Sequence, residues 1–124
     1  MVSQDRWLVD RVRGILEDAD FEIEIALTGA VGVSVALERR VDLLLVDEEI
    51  EDFHNVCKIK DPAAATYRLP VVVIAAEKRA AKKAVDSLMA LAVFSREFEE
   101  KELLAKITMG VRLAEKLKRR RVVA

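Results

Sequence analysis

Apolar and polar positions along the chain change their period several times, and each change marks an element. Leu8, Val12, Ile15 and Leu16 recur at helical spacing in QDRWLVDRVRGILEDAD, with Asp5 placed to cap the first turn. FEIEIA, Phe21 to Ala26, alternates apolar and acidic residues, as a strand with one buried face does. Thr28 and Gly29 turn the chain into a second helix with the stripe Val33, Ala36 and Leu37, ending at Arg39 and Arg40. Val41 to Val46 is a continuous apolar run, the mark of a parallel strand covered on both faces, and it stops at Asp47, Glu48 and Glu49. Phe53, Val56, Cys57 and Ile59 form the face of a third helix that Asp61-Pro62 ends. LPVVVIAA, Leu69 to Ala76, predicts another buried strand, Lys78 to Leu91 an alanine-rich fourth helix, and Ala92 to Ser95 a short strand. The last helix presents Leu103, Leu104, Ile107, Val111, Ala114 and Leu117. Strands that alternate with helices predict an α/β fold with crossovers onto a parallel sheet.

Length and charge narrow the classes without choosing a function. The chain has 124 residues, no repeat and no linker, which predicts a single domain over 1–124. A net charge of −1 offers no overall attraction to nucleic acid or a membrane surface. The basic run KLKRRR, 116–121, reads as a helix end that complements the helix dipole. No apolar run reaches the roughly 20 residues of a membrane span, and MVSQDRW lacks the features of a signal peptide, so a cytoplasmic location is expected. Cys57 and His54 are each the only residue of their kind, which excludes an internal disulfide and a cysteine or histidine metal cluster. Cys57 reads as a small core residue, His54 as a surface residue, and Trp7 as packing at the start of the first helix. No glycine-rich loop follows a strand, which argues against nucleotide or flavin binding.

The candidate chemistry sits at Asp47, because open α/β sheets place ligands at the C-terminal ends of their strands. The segments DFEIEIALTGAVGVSVALERRVDLLLVD, LPVVVIAA and FSREFEEKELLAKI together resemble the receiver domain of two-component response regulators over nearly the whole chain. That resemblance implies a flavodoxin-like, doubly wound five-stranded parallel sheet in the order 2-1-3-4-5 and a regulatory signalling role. It also implies a pocket of five groups: two acids that hold magnesium, a phosphoaccepting aspartate, a hydroxyl and a lysine.

Asp47 matches the phosphoacceptor. The acidic pair falls on Ser3 and Gln4, with Asp5 one position later; the hydroxyl falls on Ala75, the lysine on Arg96 and the aromatic switch on Val93. Ala75 cannot hydrogen-bond a phosphoryl oxygen. A unit charge 4 Å from a divalent ion is worth roughly 8 kcal/mol gross at an effective dielectric near 20, so losing two acids weakens a metal site severely. The degenerate acidic pocket is then Ser3, Gln4, Asp5, Glu48 and Glu49, and any metal falls to Asp5, Asp47 and Glu49. A guanidinium suits a lasting carboxylate pair better than lysine does, so Arg96 is expected to pair with Asp47 or Glu48. These departures predict a pseudo-receiver: no enzyme, no cofactor, and a protein partner bound through the fourth helix, the fifth strand and the last helix. The alternative is an atypical phosphoacceptor that uses Asp47 with weakly bound magnesium.

The first strand of that fold is represented only by Met1, Val2 and Ser3. An unfilled central slot would strand two rows of backbone groups. Two solutions are open: Met1 to Gln4 form a stunted strand, or RRRVVA, 119–124, supplies the strand. In the second, Val122 and Val123 pair within the same chain or are exchanged in a homodimer.

Overall fold

The structure, a computed structural model, describes residues 1–76 and 86–122, with side chains placed through Glu115. Its centre is a parallel sheet of β1 (Leu44–Asp47), β2 (Val71–Ala75) and β3 (Ala92–Ser95), in the order β1-β2-β3. Every residue of β1 and β2 is buried, as their aliphatic runs require, and the burial extends to Asp47 at the end of β1. The two-residue period of a strand then divides these side chains between two layers. Leu45, Val72, Ile74 and Phe94 pack with Leu8, Val12 and Leu16 of α1 (Arg6–Asp18) and with Leu103 and Ile107 of α4 (Glu100–Val122). Leu44, Val46, Val71 and Val73 pack on the other side with Val2, Val56, Ile59 and Leu88. That second layer is built by α2 (Gly29–Glu38), by α3 (Phe53–Val56), which tightens into a 3-10 turn through Lys60, and by the helical residues 86–88.

Among the described residues three strands are regular where five were expected. The central slot is held by Met1 to Ser3, and Val2 bridges both Val46 and Ala26 in parallel. Val2 N–H donates to the Leu45 carbonyl at 2.8 Å and Asp47 N–H to the Val2 carbonyl at 2.9 Å. On the other side Ser3 N–H reaches the Ala26 carbonyl at 3.0 Å and Ala26 N–H the Met1 carbonyl at 2.8 Å. Three residues support one bridge per side, so Phe21 to Ile25 alternate in sequence without joining a ladder. Within one chain the stunted strand is the solution adopted. Val122 is helical, which corrects its placement in the sheet of its own chain; Val123 lies outside the described residues.

Two helices also differ from their sequence reading. The buried positions of α2 are Gly29 and Gly32, while Leu37 of the expected stripe is 57% exposed. Gly32 lies directly on Val2: a Cβ there would stand 2.4 Å from Val2 Cγ2. That close approach turns Leu37 outward. The fourth helix, expected over Lys78 to Leu91, falls mostly on 77–85, outside the described residues. It ends by Leu88, because Met89 takes φ 49° and Leu91 N–H already pairs with the Val71 carbonyl at 2.8 Å.

The start of α2 is capped twice. Thr28 Oγ1 accepts from Val31 N–H at 3.2 Å, and Asp52, from the loop after β1, accepts from Gly29 N–H at 2.7 Å and Ala30 N–H at 2.9 Å. Those backbone donors, with Asn55, hold the Asp52 carboxyl down at about 2. Its folded value is below its unfolded one, so its contribution is full above about pH 4 and fades as pH falls toward 2. Asp52→Asn is expected to flatten that part of the acid unfolding curve, followed by circular dichroism. The glycines give a second check in urea unfolding. Gly32→Ala should destabilise by about 1–3 kcal/mol through overpacking on Val2. Gly14→Ala, where a Cβ meets nothing within 4 Å in the exposed face of α1, should stabilise by about 0.4–1 kcal/mol.

Candidate functional site

β1 delivers Asp47 to the C-terminal edge of the sheet, where it is only 2% exposed. Ser3 Oγ donates to its Oδ2 at 2.7 Å, and Glu49 N–H to its Oδ1 at 3.0 Å. Ser3 is held there by the Val2 bridges and in turn accepts from Asp5 N–H at 3.1 Å. Asp5 caps α1 through Oδ1, which accepts from Leu8 N–H at 3.1 Å, leaving Oδ2 turned toward the pocket.

Arg96 follows β3, one residue past the Ala75–Ser95 pair that ends the register. Its Nη2 stands 2.9 Å from both Asp47 oxygens and 2.8 Å from Glu49 Oε2, and its Nη1 2.5 Å from Asp5 Oδ2. Three carboxylates thus converge on one guanidinium. Burial alone would lower the Arg96 pKa, but Asp47 first, then Glu49 and Asp5, outweigh it and raise it. Arg11 of α1 fastens the arginine's own backbone, donating from Nη1 to the Arg96 carbonyl at 3.2 Å and from Nη2 to the Phe98 carbonyl at 2.9 Å. The Arg11 guanidinium also lies 4.2 Å from the Phe98 ring centroid and 5.8 Å from that of Trp7.

Most of the positions singled out in the sequence meet here, and several play other parts. Asp47, Asp5, Glu49, Ser3 and Arg96 form one hydrogen-bonded cluster. Gln4 is exposed and stays outside it. Glu48 is not the partner of Arg96. Its N–H continues the ladder to the Ile74 carbonyl at 2.9 Å, and its Oε2 is buried with no hydrogen bond. Burial, then Glu49 and Asp47, raise its pKa. Ala75 is fully buried in β2, and Val93 in β3 pairs with Val73. Trp7 is 67% exposed, so it lies on Arg11 rather than in the core. His54 is exposed, and Cys57 packs against the core with its thiol pKa raised by burial. Sequence reasoning missed Arg11; the one hint was its i,i+4 spacing from Trp7, which lets the two stack on a helix.

Magnesium is the cofactor that the resemblance implies, and its fit can be judged from the donor set. The ion takes hard oxygens at about 2.0–2.1 Å in a near-ideal octahedron. Asp5, Asp47 and Glu49 supply oxygens, yet these same atoms already surround Arg96. At an effective dielectric near 20 three carboxylates attract a divalent ion more than one guanidinium repels it, so geometry decides: these oxygens are turned to Arg96 and not to a shared ion position. Among the described residues no group of three or more His, Cys, Asp or Glu is arranged to hold a metal ion. With Arg96 in place, the residues present do not fit magnesium.

No family model and no curated protein matches the sequence. Solved structures do match the fold. A signal receiver domain of an HD domain-containing protein from Pseudomonas fluorescens Pf-5 superposes with a TM-score of 0.84 at 13% identity, over 96% of this chain and 89% of that one. A response regulator receiver domain protein from Methanospirillum hungatei JF-1 gives 0.75 at 22% identity, over 93% of each chain. The receiver domain of a sensor histidine kinase from Pseudomonas aeruginosa PAO1, solved with a magnesium ion coordinated in its active site cleft, gives 0.70 at 15% identity, over 89% of this chain and 93% of that one. The chain therefore has the α/β fold of response regulator receiver domains.

Removing the guanidinium would leave Asp47 buried beside two further carboxylates with no counter-charge. Arg96→Ala is expected to lower stability by about 3 kcal/mol, the lower end for stranding a buried charge because Arg96 itself is partly exposed. Arg96→Lys, which keeps the charge but not the fork, should fall between it and the parent in urea unfolding.

Proposed function

We propose that this chain is a regulatory signalling module that works without phosphorylation, a pseudo-receiver acting in the cytoplasm through a protein partner. The observation that carries this reading is Arg96 Nη2 seated 2.9 Å from both oxygens of Asp47. Phosphoryl transfer depends on positioning and on a cation that neutralises the transferring group. Here Ser3, Glu49 N–H and Arg96 already occupy the lone pairs of the would-be nucleophile, and the local positive charge belongs to a side chain. Ala75, in the hydroxyl position, adds no donor for a phosphoryl oxygen.

The surface offered to a partner combines β3 with the outer side of α4. Met109 and Leu113 are each 44% exposed there, beside Leu104 and Thr108, and Lys101 and Arg112 flank them in a groove of about 660 Å³. Apolar residues framed by cations suit a protein surface with acidic residues around an apolar patch. No helix among the described residues is long and apolar enough to cross a membrane.

One observation favours the second reading, an atypical phosphoacceptor. Asp5, Asp47 and Glu49 do converge, and swinging Arg96 aside would leave their oxygens together. Titrating magnesium with beryllofluoride while following Trp7 fluorescence and amide shifts separates the two. Trp7 reports because Arg11 links it to the Arg96 backbone. No saturable response is expected; saturation at millimolar magnesium would establish the phosphoacceptor instead.

A further inference from the structure

The sheet has an open place that the pocket chemistry does not use. Beneath Met1, between Phe21 to Ala26 and Leu43 to Leu45, lies a cavity of about 460 Å³ walled by Leu16, Phe21, Ile23, Leu43, Ile107 and Val111. The bonds that hold Val2 set the direction of the backbone groups around it. Leu45 C=O and Asp47 N–H face the central position, so the alternation of a parallel strand turns Leu43 C=O and Leu45 N–H into the cavity. On the opposite wall Glu24 C=O accepts from the Met1 amino group at 2.6 Å, which places Glu24 N–H on the same side. Two rows of backbone groups and apolar walls match one kind of occupant: an extended strand parallel to both neighbours.

We propose that residues 119–124, RRRVVA, of a second copy fill this place, making the protein a strand-exchanged dimer. α4 passes the cavity at Ile107 and Val111 and stays helical to Val122. With 119–124 drawn out as the strand, the seven helical residues 112–118 carry the chain roughly 10 Å beyond it. A helix leaving one body in this way can deliver its end to a neighbour, and a twofold axis makes the exchange reciprocal and closed. Val122 and Val123 are β-branched and fit a pleated strand better than a helix end, while the last turn of a helix opens at close to zero free energy. The rim of the cavity carries Asp20, Glu22, Glu24 and Asp42 against Arg39 and Arg40, so the basic run that precedes the valines meets a net negative mouth. In register, Ala124 follows on below Met1, and Val123 lies across from Ile23.

Sedimentation equilibrium on the 124-residue chain is expected to give a dimer, and the same chain ended at Lys118 a monomer with an unchanged circular dichroism spectrum. A monomeric parent, or a dimer that survives the truncation, would overturn the exchange. The crosslink holds even where the shortened chain does not fold. With Cys57→Ser removing the native thiol, Ile23→Cys combined with Val123→Cys should run as a covalent dimer on a non-reducing gel. A disulfide formed only within one chain, or none at all, would also overturn it.

Discussion

Three carboxylates from different parts of the chain share one arginine, and the rest of the site follows from that. Asp47 ends β1, Glu49 lies two residues on, Asp5 begins α1, and Arg96 leaves β3. An aspartate as buried as Asp47 must have its charge matched, and a guanidinium matches it with several directed donors at once. The same contact ties the start of α1 to the end of the sheet. Ser3 bonds to Asp47 while accepting from Asp5 N–H, and Arg11 secures the loop that carries Arg96. A cluster built in this way is held in place by one cation shared among three anions. Its consequence is a receiver fold in which the oxygens of Asp47 already have protein partners.

The second constraint is the length of the central strand. Met1 to Ser3 supply enough backbone to position Ser3 against Asp47, yet too little to turn Phe21 to Ile25 into a ladder. The upper end of the sheet, where the pocket lies, is therefore complete, and the lower end holds a cavity. Gly32 shows how tightly the short strand is gripped, since only a glycine lets α2 lie on Val2.

Legibility in the sequence followed the range of the interactions. β1 and β2 stood out because a strand buried on both faces reads as a nearly continuous apolar run, and α1 because its stripe meets the core at every turn. Phe21 to Ala26 read as a strand, but a ladder needs a neighbour of matching length, which the strand's own residues do not encode. The orientation of α2 was set by the approach of Gly32 to Val2, a contact between distant segments, so Leu37 faced solvent instead of the core. At the site, the pairing of Asp47 with Arg96 was readable from charge and position. The choice of Glu49 over Glu48 was not. It follows from the ladder running one residue beyond Asp47 to Ile74, which carries Glu48 away from the arginine. Arg11 gave almost no signal, because its partners are two carbonyls in a loop some 85 residues away.

The most direct measurement is intact-mass spectrometry of the chain after incubation with acetyl phosphate and magnesium. With Asp47 closed by Arg96 the mass is expected to stay unchanged. A phosphoryl adduct that maps to Asp47 and disappears in Asp47→Asn would contradict the closed pocket.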